Sequence, residues 1–325
     1  MVRNFLLLSF VSGLEKFRDR GYNRLMEYLN VQEIAEKWGI SERAVRKYCA
    51  AGRVEGAVSQ GGAWMVPAEA AKPERVRADK ELTLLEVLRR EDKLRLKGGI
   101  YHKVQVELTY NSNHIEGSRL TEDQTRYIYE TNTIGALAKY EGVRVDDVVE
   151  TANHFRCIDY IIENANRRLS ERMIKNLHFI LKNGTSDSLN DWFNVGDYKK
   201  LPNEVGGMET TAPELVRKEM QKLIKKYRAR KVLDLKDLLN FHYEFERIHP
   251  FQDGNGRVGR LILFKECLRL NIVPFIIDED MKMFYYRGLK EWRSMPGYLM
   301  DTCLAAQDKF AKYLEYYRIE PGRRG

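Results

Sequence analysis

His249-Pro250-Phe251-Gln252-Asp253-Gly254-Asn255-Gly256-Arg257-Val258-Gly259-Arg260 carries more chemistry than any other stretch of the chain. Residues 241–248 are amphipathic with helical spacing, and Pro250 disfavours the α region for the residue before it. His249 is therefore expected at a helix end, aimed into a loop. Asp253 follows in a turn with two glycines, and a second helix is expected from about Gly256. Gly254 and Gly256 permit backbone angles at which successive N–H groups converge on an anion. The helix start adds unpaired donors and a favourable dipole. Arg257 and Arg260 are three apart and share one face of the first turn. A carboxylate, a ring of amides and two guanidiniums around one loop suit a polyphosphate with a divalent cation. Mg²⁺ fits best, because it takes one or two carboxylates plus phosphate oxygens. His249 is the adjacent candidate general base. Taken singly, each piece has an ordinary reading as a helix-end histidine, a tight turn or a solvated pair of arginines. Their concentration in one loop argues for a site.

Outward from this loop the pattern is helical. Helices are expected near 82–96, 100–111, 121–130, 145–163, 170–182, 212–229, 235–248, 256–270, 279–294 and 296–317. Gly98-Gly99 separates the first two, Thr121 with Gln124 forms a capping box, and Ser170 caps the fifth. Residues 195–205 break the pattern: Gly196, Pro202 and Gly206-Gly207 interrupt it, while Tyr198 and Val205 favour an extended shape. A short hairpin flap over 198–206 is the expectation, in an otherwise all-helical domain.

The amino-terminal part reads differently. Ile34, Ala35 and Trp38 share one helical face, Gly39 supplies a turn, and Ser41 caps a second helix over 42–50. That helix turns Val45 and Cys49 inward and Arg43, Arg46 and Lys47 outward. Runs at 52–58 and 61–67 around Gly61-Gly62 read as a small hairpin. Two short helices, the second basic, outline a helix-turn-helix. The stretch resembles the winged modules of the MerR and excisionase type. Arg43, Arg46 and Lys47 are then candidate DNA contacts, against the alternative of a cap that only packs or dimerises. The expected organisation is an extension over 1–25, a winged helix-turn-helix module over 26–72, a linker and helix over 73–97, and the main helical domain over 98–318.

Composition narrows the classes. The chain has 325 residues, 43% of them hydrophobic and 31% charged, a globular balance that excludes a disordered or fibrous chain. The net charge of +8 is compatible with phosphate-bearing partners but spread along the sequence. Cys49, Cys157, Cys267 and Cys303 lie far apart, which offers neither a zinc site nor a disulfide framework and points to a cytoplasmic setting. The apolar run of residues 5–11 is too short to span a membrane and lacks a small-residue cleavage site. Met26 reads as an alternative natural start, with no role inferred for residues 1–25.

The segment 249–260 resembles the Fic (filamentation induced by cAMP) family, whose motif is H-P-F-x-[D/E]-G-N-G-R-x-x-R. Every fixed position is met. The similarity extends over about 100–310, including Glu150-Thr151-Ala152-Asn153-His154 and Tyr285-Tyr286. The resemblance implies transfer of AMP from ATP, the substrate, to a Ser, Thr or Tyr hydroxyl of a protein, with Mg²⁺ as cofactor. It implies that His249 takes the hydroxyl proton and Asp253 holds Mg²⁺. Gly254, Asn255 and Gly256 would line the anion hole, and Arg257 and Arg260 would grip the phosphates. Gly256 argues against the kinase-like Doc branch, which carries a larger residue there. Ser112-Asn113-His114-Ile115-Glu116-Gly117 matches the family's inhibitory pattern [S/T]-x-x-x-E-[G/N], in which the glutamate pairs with the second motif arginine, here Arg260.

The same resemblance places Asn203, Glu204, Val205 and Gly206 at nucleotide-contacting flap positions and Tyr285 and Tyr286 beside the adenine. A buried aromatic pair is the alternative for the two tyrosines. One departure stands out: some relatives carry Asn seven residues after the second tyrosine, where this chain has Arg293. The flap would pair with a target peptide by strand addition, and relatives often form homodimers. Removal of AMP, transfer of a different nucleotide and a nucleotide-sensing transcription regulator remain as alternatives.

Overall fold

The structure, a computed structural model, describes residues 15–17, 26–73, 82–134, 143–205 and 207–322. Most of the amino-terminal extension, much of the linker and Gly206 of the flap lie outside the described residues. The chain divides into two compact units, Met1–Lys80 and Glu81–Gly325.

The first unit places β1 (Glu15–Phe17), β2 (Met26–Asn30), β3 (Val58–Gln60) and β4 (Ala63–Pro67) in one antiparallel sheet of order β1-β2-β4-β3. Two helices, α1 (Val31–Trp38) and α2 (Glu42–Ala50), lie between β2 and β3 in the chain. Asn30 begins α1 with a full capping box, its side chain accepting from the Glu33 amide at 3.0 Å while its own amide donates to Glu33 Oε2 at 2.8 Å. Gly39, at φ +64°, ends the helix. Ile34, Ala35, Trp38, Val45 and Cys49 close on Val54 and Val66 to form the core of this unit. Two details differ from expectation. The hairpin strands are shorter than 52–58 and 61–67, because Gly52 and Gly56 sit in the left-handed region and keep the chain turning. A third strand, β2, pairs along β4, with Leu29 opposite Val66.

The second unit is helical: α3 (Leu84–Leu94), α4 (Ile100–Ile115), α5 (Glu122–Thr131), α6 (Val145–Glu163), α7 (Glu171–Lys182), α8 (Pro213–Ala229), α9 (Leu235–Ile248), α10 (Asn255–Leu270), α11 (Glu279–Lys290) and α12 (Gly297–Tyr316). These match the expected helices closely. Leu84, Leu85 and Leu88 of α3 join the main core, so α3 belongs to this unit rather than to a linker. The larger difference is α4, which continues four residues past the expected end at 111 and carries Ser112 within its last turn.

At the centre lies α10, packed by α4, α6, α7 and α9. Val258, Leu261, Phe264 and Cys267 fill its faces, each fully buried. Full burial of an apolar side chain of this size contributes about 1.5–3 kcal/mol, which helps offset the cost of the charged groups the same helix carries inward. Arg257 and Arg260 are 4% and 6% exposed, so the solvated-face reading fails at both.

The flap is smaller and later in the chain than expected. β5 (Glu204–Val205) and β6 (Met208–Glu209) form a minimal antiparallel hairpin. Tyr198 is instead buried, its ring 5.9 Å from that of Phe251. Its aromatic character signals core packing there, not an extended strand.

Candidate active site

α9 stops at His249, which adopts φ +49° and ψ +64° while its amide donates to the Phe245 carbonyl at 2.9 Å. Pro250 excludes the right-handed helical region, and the chain takes the left-handed one instead of the extended one expected before proline. A left-handed non-glycine residue is strained, and such strain concentrates at functional positions. The half-buried imidazole donates from Nδ1 to the Glu246 carbonyl at 3.3 Å, which leaves Nε2 as the acceptor. Burial, opposed by that hydrogen bond, lowers its pKa to about 4, so the ring is neutral near pH 7.

Behind the loop, His178 stacks on Phe251 at 4.0 Å between ring centroids and 3° between planes. Asn255 clamps the turn: its Oδ1 accepts from the Phe251 amide and its Nδ2 donates to the Phe251 carbonyl, both at 2.8 Å. The Asn255 side chain is thus committed to the loop, and its backbone amide is what it offers to an anion. Gly254 takes φ +79° just before the helix, and no side chain caps the first N–H groups of α10, which leaves them open to an anion.

Asp253 reaches Lys182 Nζ at 2.6 Å and Arg257 Nη2 at 3.2 Å, both through Oδ2. Burial alone would raise its pKa, but Arg257 and Lys182 outweigh that and hold it well below the usual carboxylate range. Its side chain is half exposed, an ionised carboxylate with one edge toward solvent. That fits a Mg²⁺ ion that takes one protein carboxylate and completes its shell with phosphate oxygens and water.

Arg257 is bound by Glu150 of α6 as well as by Asp253. Arg260 is held by the end of α4. Its Nε donates to Ser112 Oγ at 3.0 Å, and its Nη2 donates to the Ser112 carbonyl at 2.8 Å and to Glu116 Oε1 at 2.7 Å. The geometry follows from the helix end. The Glu116 amide turns back to Asn113, so the Ser112 carbonyl is left for the guanidinium. Gly256 lies within α10 in ordinary helical conformation, not the special turn expected; a Cβ there would press on the end of Glu116 and meet Arg260 Nη1 at 3.0 Å, so a larger residue would displace the Glu116 carboxylate.

Other expected contacts take different roles. Asn203 Nδ2 donates to the Phe251 carbonyl at 3.0 Å, and its Oδ1 accepts from Lys199 Nζ and Thr210 Oγ1, so it pins the flap to the His-Pro-Phe loop. Glu204 and Val205 are exposed. Tyr285 is 1% exposed and lies 2.5 Å from His242 Nε2, which removes it as a surface for a base. Tyr286 keeps exposed surface and donates to the Ile115 carbonyl at 3.3 Å. Arg293 lies 3.4 Å from Glu244, on the wall of a cleft of about 350 Å³ that also includes Thr211, Leu223 and Ile248.

Sequence reasoning gave no role to Glu150 or Lys182. The signal was present in the periodicity. Lys182 continues the buried stripe of Ile174, Leu177, His178 and Leu181, and Glu150 shares that of Thr151, His154 and Ile158. A charge on a buried stripe implies a buried partner.

The comparisons point to one class: residues 168–266 match the sequence model of the Fic/DOC family. Among related proteins, the chain is 27% identical over 186 residues to "Protein adenylyltransferase Fic" of Drosophila persimilis, covering 56% of this chain and 35% of that protein. It is 28% identical over 187 residues to the protein of the same name from Drosophila erecta, covering 56% and 36%. The match thus spans about a third of the length of those relatives. A solved Fic domain containing signaling protein from Bacteroides thetaiotaomicron superposes with a TM-score of 0.53 at 25% identity, over 71% of this chain and 90% of that one. Fic-1 from C. elegans shares the fold with a TM-score of 0.54 at 19% identity, over 72% and 71%. Among the described residues, no helix is long and apolar enough to cross a membrane.

Proposed function

We propose that this chain is a self-braked protein adenylyltransferase that moves AMP from ATP to a Ser, Thr or Tyr hydroxyl, on a target protein or on itself. The observation that carries the reading is the loop itself: a neutral histidine with a free Nε2 stands beside an ionised aspartate and the open start of α10. His249 Nε2 takes the hydroxyl proton as the hydroxyl oxygen forms its bond to the α-phosphorus. The bond from that phosphorus to the bridging oxygen breaks, and pyrophosphate leaves with the electron pair. The amides at 254–256 and the guanidiniums of Arg257 and Arg260 face the phosphates. Asp253 would hold Mg²⁺, which would supply charge neutralisation for the α- and β-phosphates. The brake is the Glu116 carboxylate, which competes with phosphate for the same guanidinium.

The test is mass spectrometry of wild-type and Glu116→Gly protein after incubation with Mg²⁺ and each of the four NTPs. An added AMP mass from ATP, strong in the variant and faint in the wild type, is the expected outcome. A gain from another NTP instead would make a different nucleotide the group transferred. A Glu116→Gly protein that neither gains mass nor binds ATP would overturn the reading.

For the first unit we infer DNA binding, supported by Arg43, Arg46 and Lys47 standing exposed on α2, with Arg46 also paired to Glu42. Arg46→Ala with Lys47→Ala in the full chain should weaken duplex binding and lower the slope of log K against log salt by about 1–2. An unchanged slope would assign α2 a packing role.

A further inference from the structure

The Lys182 ammonium sits 2% exposed at the base of the site. It donates to Asp253 Oδ2 at 2.6 Å, to Glu150 Oε1 at 2.5 Å and to Asp187 Oδ2 at 3.3 Å, and it lies 5.4 Å from the centroid of the Phe193 ring. Glu150 in turn binds Arg257, which returns to Asp253. Two cations and two carboxylates thus alternate around a closed ring, with the half-exposed Asp187 at its rim. A ring balanced in this way attracts a bare divalent cation weakly, because Asp253 already faces two positive charges. It accepts the cation readily only when a polyphosphate brings its own negative charge.

We propose that Lys182 is a positioning residue that aims the Asp253 carboxylate and, through Glu150, the Arg257 guanidinium, and that it makes divalent-cation binding wait for the nucleotide. The inference rests on the reading of Asp253 as the metal-holding group. It does not require that AMP be the group transferred.

The probe is Mn²⁺ alone, titrated into the nucleotide-free full chain and followed by electron paramagnetic resonance. Lys182→Met should bind Mn²⁺ about tenfold tighter than the wild type, the scale on which one neighbouring charge moves a carboxylate's affinity for a proton. In the Glu116→Gly background the same change should lower kcat for transfer, with Lys182→Arg restoring part of it. Tighter metal with slower transfer separates positioning from simple packing, which would leave Mn²⁺ affinity unmoved. Unchanged or weakened Mn²⁺ binding in Lys182→Met overturns the proposal. A wild-type measurement covers the case in which that variant does not fold. The Lys182 ammonium resonance should shift when Mg²⁺ and a non-hydrolysable ATP analogue bind together and stay put with Mg²⁺ alone. A resonance that ignores the ternary complex also overturns the proposal. Because the Mn²⁺ titration uses no nucleotide, the Lys182–Asp253 relation can hold even if the chain transfers no AMP.

Discussion

His249→Ala, made in the Glu116→Gly background, should lower AMP transfer by about 10²–10⁴-fold, the usual contribution of a positioned general base. Nucleotide affinity should hold, because the amides and guanidiniums proposed to hold the phosphates belong to α10 and its preceding turn rather than to the imidazole. The size of the effect follows from how completely the ring is prepared. Its Nδ1 is tied to the Glu246 carbonyl, its backbone is locked at the end of α9, and burial keeps it unprotonated near pH 7.

The pH dependence carries the sign of that shift. A folded-state pKa lowered from 6.5 to about 4 means that the base form is already present at neutral pH and is lost only as pH falls toward 4. The kcat/KM profile should therefore be flat from about pH 6 upward and drop on the acid side near 4. An acid limb centred near 6.5 would show an imidazole in open water. Residual transfer by His249→Ala at near-normal rates would remove the residue from the base role altogether.

Glu116→Gly should raise the initial rate of AMP incorporation by roughly 10- to 100-fold. A charge-assisted hydrogen bond of this kind contributes about 1.5–3 kcal/mol, and each 1.4 kcal/mol is a factor of ten. Releasing the carboxylate makes Arg260 available to the phosphates without stranding it, because the Ser112 hydroxyl and carbonyl remain within reach. The fold should survive for the same reason, so the thermal midpoint is the control. A variant no faster than the wild type would mean that ATP does not wait for Arg260. Loss of AMP removal from a modified target would favour the opposite direction of reaction, with Glu116 positioning water.

Much of this protein was legible one segment at a time. The helix starts follow from local chemistry: Ser41, Thr121 with Gln124 and Ser170 all cap their helices. The inward faces of α1 and α2 follow from spacing, and the 249–260 loop is a local object whose residues meet because they are neighbours. One short-range reading failed where packing overruled propensity, and one alternative held. Tyr198 went into the core instead of the flap, and the burial of Tyr285 against His242 matches the aromatic-core alternative for that residue.

What the tertiary structure alone decided is which distant charges meet. Arg257 and Glu150 are 107 residues apart and Lys182 and Asp253 are 71 apart, whereas the Arg260–Glu116 pair, 144 apart, was already expected from the inhibitory pattern. Helical periodicity tells which face of an element is buried, and turn chemistry tells where it ends. Neither tells which other element covers that face, since that depends on the path of the whole chain. The arginines of α10 could be read as phosphate ligands from their spacing. The capture of Arg257 by Glu150 of α6 could be seen only after the helices had closed around α10 and left each buried charge to be matched by whatever lay opposite.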